Sequence, residues 1–83
     1  MSTPSAHEIL DFTTSWLSQQ LGTTVLPEAN FGAIGMDSLD AVALTDALAD
    51  RLGIDELPVS IVLDHPSPQS LSEWLANELR ASA

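Results

Sequence analysis

The chain of 83 residues has no cysteine, no lysine and no long apolar run. Without cysteine it forms no disulfide, which excludes a small disulfide-stapled extracellular scaffold and makes a reducing, cytoplasmic setting the expected one. It also owns no thiol and no thiolate metal ligand. No stretch reaches the roughly 18 consecutive apolar residues of a membrane span. The start, Met1-Ser2-Thr3-Pro4, lacks the basic opening and apolar core of a signal peptide. Positive charge is scarce: two arginines face twelve acidic residues, a formal net charge of −10. Such a surface repels nucleic acid and anionic membranes and draws basic partners toward itself. The same charge would keep a small protein soluble and monomeric, and composition alone does not separate these two roles.

Enzyme signatures are missing as well. There is no Gly-x-Ser-x-Gly elbow and no Asp-x-Asp-x-Asp-Gly calcium loop. The two histidines, His7 and His65, have no sequence feature that ties them to a nucleophile. His7 reads as an exposed residue near the N-terminus, and His65 as a loop residue. A chain of this length has room for one domain, 1–83, but not for a deep, water-excluded active site.

What is present is helical periodicity. Ile9, Leu10, Phe12, Trp16, Leu17 and Leu21 make an amphipathic stripe over about 5–21, with Ser5 and Glu8 spaced as a capping box and Gly22 as a stop. A long loop, about Gly22 to Met36, follows, and Val25, Leu26, Phe31 and Ile34 are expected to pack it over the helices. A second helix is expected over 38–52, with Asp37 as N-cap, Asp40 in the first turn, Arg51 in the last and Gly53 as its stop. The segment 59–63 fits a single helical turn closed before His65-Pro66. The last helix, 68–80, opens on Ser67-Pro68 and buries Leu71, Trp74, Leu75 and Leu79. Trp16 and Trp74 lie on apolar stripes, as core residues do. The fold class is all-α.

The second helix is more apolar than one core face requires. Ala41, Leu44, Leu48 and Leu52 form an inward stripe, while Leu39 and Val42 fall on another side with Asp46 and Asp50. An apolar spot with a carboxylate rim is the pattern of a docking surface; a wide core face is the alternative.

Ser38 stands at the head of this helix, in Phe31-Gly32-Ala33-Ile34-Gly35-Met36-Asp37-Ser38-Leu39-Asp40. This segment resembles the phosphopantetheine attachment site of the acyl carrier protein family, whose core is Asp-Ser-Leu after a loop glycine. The resemblance continues through Ala41-Val42-Ala43-Leu44, Leu48 and Leu63-Asp64-His65-Pro66-Ser67-Pro68 to Leu71 and Leu75. Two departures are Leu63, where an aromatic is common, and Ser67, where threonine is common. The resemblance implies a four-helix bundle with a short third helix. It implies a non-catalytic carrier with 4'-phosphopantetheine on Ser38, placed there from coenzyme A by a phosphopantetheinyl transferase. The arm would supply the thiol that the chain lacks, holding an acyl group as a thioester for partners such as ketosynthases.

By matching positions, Asp37, Leu39, Asp40, Val42, Asp46 and Asp50 become the candidate docking residues for basic patches on partner enzymes. Gly-Met-Asp-Ser-Leu and Asp-His-Pro-Ser-Pro resemble polyketide-type carriers more than peptidyl ones, and Asp40 is also familiar from fatty-acid carriers. The initiating Met and short flanks fit a stand-alone carrier, and a domain excised from a synthase would look the same. The alternatives are a peptidyl or aminoacyl carrier, a fatty-acid carrier and, more distantly, an unmodified acidic helical adaptor.

Overall fold

Polar caps and glycines set the helix ends in the computed structural model, which describes residues 3–82. Met1 and Ser2 of the non-basic start, and Ala83, lie outside the described residues. Four helices are present: α1 (Ala6–Leu21), α2 (Ser38–Leu52), α3 (Ser60–Asp64) and α4 (Pro68–Ser82), with no strand among the described residues. At the head of α1, Ser5 Oγ accepts the Glu8 N–H at 3.1 Å and Glu8 Oε1 accepts the Ser5 N–H at 3.4 Å. These bonds occupy donors that a helix start would otherwise leave open. At its tail Gly22 N–H returns to the Ser18 carbonyl. Ser67 and Ser70 cap α4 by the same reciprocal exchange, at 3.2 and 3.3 Å, with Pro68 at the first helical position. The third helix, α3, lies one residue further along than 59–63, because Val59 stays outside it and the His65 N–H closes its last turn on the Ile61 carbonyl.

The core is made from the predicted stripes. Leu17 of α1, Leu44 and Leu48 of α2 and Leu71 of α4 are wholly removed from water, and Ile9, Leu75, Ile61 and Val62 nearly so. Each such side chain contributes about 1.5–3 kcal/mol. Trp16 and Trp74 pack against this cluster while remaining half-buried. Three hydroxyls are buried too, each bonded within its own helix: Thr13 to the Ile9 carbonyl at 2.8 Å, Thr45 to Val42 at 2.9 Å and Ser72 to Pro68 at 2.6 Å. Their small, satisfied side chains let neighbouring helices approach without an orphaned polar atom. Helix α1 packs mainly on α4 and also on α2. The Arg51 guanidinium, in the last turn of α2, lies 5.8 Å from the centre of the Phe12 ring on α1, within cation–π range.

The long loop is pinned rather than loose. Val25 N–H donates to Ser18 Oγ at 3.1 Å, Gln69 N–H to the Pro27 carbonyl at 2.9 Å and Phe31 N–H to the Pro66 carbonyl at 2.7 Å. Val25 and Phe31 are buried and Ile34 is half-buried against the core, as expected. Leu26 is a correction, since it is 57% exposed instead of packed. The bond from the Val25 N–H to Ser18 Oγ holds the chain against α1 with Val25 turned into the core, and Leu26 falls on the solvent side.

Candidate functional site

Ser38 is exposed and is the first residue of α2. The turn before it is built by Asn30, whose Oδ1 accepts the N–H groups of Gly32 at 2.9 Å and Ala33 at 3.3 Å. Gly35 has φ 88°, a conformation that a Cβ would strain, and it redirects the chain toward the helix. Met36 N–H closes the turn on the Phe31 carbonyl at 3.3 Å. Asp37 then caps α2: its Oδ1 accepts the Asp40 N–H at 2.9 Å, and Asp40 Oδ2 accepts the Asp37 N–H at 3.3 Å. Both carboxylates sit where the helix dipole favours negative charge. They anchor the turn that holds Ser38 in solvent.

Beside Ser38 runs an open groove of about 470 Å³. Ser38 forms part of its wall, with Phe31, Met36 and Ala41 on the side of the loop and α2, and Val62 and Leu63 on the side of α3. A group attached to the Ser38 hydroxyl therefore starts at a mainly apolar surface and has open space around it.

The docking candidates fall into two sets. Leu39, Val42, Asp46 and Asp50 are all exposed and follow one another at i, i+3, i+7 and i+11, which is a single stripe along α2. Leu39 is 78% exposed, so the apolar spot on α2 is not a wide core face. Asp37 is exposed and Asp40 half-buried, both at the head of the helix and engaged in its cap. Leu63 is a wall residue that sequence reasoning missed: it is 80% exposed and lines the groove. The available signal is local, since in a one-turn helix that buries Ile61 and Val62 the next residue must turn outward.

The histidines stand apart from this groove. His7 Nε2 lies 3.4 Å from Asp11 Oδ2 on the exposed face of α1, and His65 stacks on Trp74. Neither borders Ser38. Among the described residues, no cluster of three or more His, Asp or Glu is arranged to hold a metal ion. Among them, too, no helix is long and apolar enough to cross a membrane.

The comparisons with known proteins agree with this geometry. A family model described as "Phosphopantetheine attachment site" matches residues 13–75, which include Ser38, its groove, the whole of α2 and α3 and parts of α1 and α4. Over 53 residues, 64% of this chain, the sequence is 47% identical to a phenolphthiocerol/phthiocerol polyketide synthase of Mycobacterium tuberculosis. Over 83 aligned residues, 92% of this chain, it is 35% identical to polyketide synthase GfsA of Streptomyces halstedii. The chain spans only 3% and 1% of the lengths of these two relatives. Among solved structures, it is similar to BlmI, a type-II acyl carrier protein from Streptomyces verticillus, with a TM-score of 0.82, 19% identity and 89% of each chain covered. A free-standing peptidyl carrier protein from Acinetobacter baumannii gives a TM-score of 0.83 at 22% identity, covering 90% of this chain and 96% of that one. At these identities the two structures establish the shared fold.

Proposed function

The chain belongs to the phosphopantetheine attachment-site family of carrier proteins, and from that premise we propose that Ser38 carries the 4'-phosphopantetheine. The observation that supports this most directly is the placement of Ser38: exposed, at the capped head of α2, on the wall of an open groove and inside the matched span. When bound, the group supplies a terminal thiol on a flexible arm, which holds an acyl chain as a thioester and raises its effective concentration at each partner. In loading, Ser38 Oγ would take the phosphopantetheinyl phosphate of coenzyme A, adenosine 3',5'-bisphosphate would leave, and the hydroxyl proton would pass to a base of the transferase, since the neighbouring carboxylates of this chain, Asp37 and Asp40, are engaged in the α2 cap. The protein is thus a non-catalytic carrier, serving as a cosubstrate of a phosphopantetheinyl transferase and of ketosynthase-type enzymes.

Docking falls to the outer stripe of α2. Leu39 and Val42 supply an apolar centre; Asp46 and Asp50, with Asp37 and Asp40 at the helix head, supply a rim for a basic partner patch. Exposed ion pairs contribute only about 0.2–1 kcal/mol each, which suits a carrier that must leave each partner after its turn. The curated relatives are polyketide synthases, and their similarity supports polyketide biosynthesis as the pathway class. A peptidyl carrier is the second reading, favoured by the peptidyl carrier fold neighbour. The one-domain organisation of 1–83 and the cytoplasmic, monomeric setting expected from composition are part of the same proposal.

The test is intact-protein mass before and after incubation with coenzyme A, magnesium and a broad-specificity phosphopantetheinyl transferase. The expected result is a gain of one phosphopantetheine in the wild-type protein and none in Ser38→Ala. A Ser38→Ala protein that still gains the group would overturn the assignment. A folded wild-type protein that gains nothing would favour the unmodified acidic adaptor.

A further inference from the structure

The third helix is fastened unevenly. A helix of five residues lies far below the length at which a helix holds itself together, so tertiary contacts must decide where α3 stands. At its start Val59 offers no side-chain cap. At its end three contacts converge. The His65 N–H donates to the Ile61 carbonyl at 2.9 Å. The His65 imidazole stacks on the Trp74 indole of α4, with ring centroids 5.0 Å apart and planes inclined by 25°. One residue on, the Pro66 carbonyl accepts the Phe31 N–H at 2.7 Å.

These contacts reach both sides of the Ser38 groove. Val62 and Leu63, immediately before His65, make one wall. Phe31, held by Pro66, opens the turn that leads through Met36 to Asp37 and Ser38 on the other. The burial of Ile61 and Val62 keeps α3 on the bundle, but apolar burial is non-directional. A ring stack has a preferred offset and tilt, so it adds orientation to that burial.

We propose that His65 is a positioning residue for the chemistry at Ser38. Its ring, docked on Trp74, sets the stance of α3 and of the Phe31 turn. It thereby holds the groove at the width that a partner enzyme meets when it reaches for the serine. The residue acts through the shape and stacking of its ring rather than by proton transfer. The structural half of the proposal stands on its own, whereas its functional half rests on the Ser38 assignment above.

Amide hydrogen exchange on the unmodified full chain tests the first half. In His65→Ala, the amides of residue 65 and Phe31 are expected to exchange roughly two- to tenfold faster after correction for intrinsic rates, the range that corresponds to losing one aromatic pair. The amide chemical shifts of Leu17 and Leu44, in the core away from the stack, should stay at their wild-type values, whereas that of Phe31 should move. His65→Phe should restore the slow exchange and His65→Gln should not. Unchanged exchange in His65→Ala, equal rescue by Gln, or amide shifts displaced as far at Leu17 and Leu44 as at Phe31 would each overturn the proposal, the last by showing a change of the whole bundle.

Transferase kinetics test the second half, with the carrier as varied substrate. KM should rise roughly two- to tenfold in His65→Ala at a retained kcat, and return in His65→Phe. Wild-type loading with an unchanged KM in His65→Ala would overturn this proposal alone. A wild-type protein that gains no mass would instead sink the Ser38 assignment, and the functional half of the proposal with it.

Discussion

Along α1 and α4 every leucine is buried or half-buried, whereas Leu39 and Leu63, beside Ser38, stay in water. Leu17, Leu71 and Leu75 are buried between the long helices, and even the hydroxyls there, Thr13 and Ser72, are enclosed and satisfied. Leu39, Val42 and Leu63 face solvent within a few residues of the serine or on the wall of its groove. Burying a leucine contributes about 1.5–3 kcal/mol, so each one left outside forgoes that gain. An apolar patch on so acidic a small protein is better explained by a partner that covers it than by folding. Stability is thus concentrated in one region, and the other is left open to solvent beside Ser38. The inner face of α2, with Leu44 and Leu48 fully buried, ties the two together.

Substitutions at chosen positions can break this contrast. The largest loss of stability is expected for Leu44→Ala or Leu17→Ala, about 2–5 kcal/mol by urea denaturation, from lost burial and the cavity left behind. Loading of the molecules that remain folded should keep its wild-type rate; a matching loss there would mean that the core also shapes the site. Asp37→Ala lies on the border between the regions. It should cost about 0.5–2 kcal/mol through the lost cap of α2 and should also slow loading at Ser38, so a variant that loses only one of these would assign Asp37 to one region. Smaller still, Leu63→Ser and Val42→Ser should change stability by no more than about 0.5 kcal/mol while slowing acyl transfer to a ketosynthase. A stability loss of core size at either would erase the contrast. For Asp46→Lys with Asp50→Lys, stability should stay within about 0.5 kcal/mol. Transfer should fall most at low salt, where exposed charges act over the longest range. Transfer at the wild-type rate at every salt concentration would remove α2 as the docking face.

Much of the bundle is legible in the sequence because its signals are local. Ser5 with Glu8, Asp37 with Asp40, and Ser67 with Pro68 mark helix starts through bonds between residues three apart, or through a ring that suits the first turn. The outward stripe of Leu39, Val42, Asp46 and Asp50 follows from helical spacing alone. Ser38 could be singled out from its neighbours, although spacing says nothing of the groove beside it. The segments that resist such reading are the short and the irregular ones. Nothing in Thr24-Val25-Leu26-Pro27 says that Val25 goes in and Leu26 out, since that depends on Ser18 and Gln69 taking backbone partners on either side. Thr45 and Ala49 look like an ordinary polar and a small residue, yet both are buried where α2 meets the rest of the bundle.

By itself the sequence determined that this is an acidic, cysteine-free, all-α chain with three long capped helices and an exposed serine heading the second. Those properties depend on composition, on periodicity and on contacts between residues three or four apart. Only the tertiary structure decided that α3 and the Phe31 turn would meet across Ser38, that Leu63 would stand on the groove wall, and that His65 would rest on Trp74. Those contacts join residues far apart in the chain, and a one-turn helix has too little hydrogen bonding of its own to choose its place.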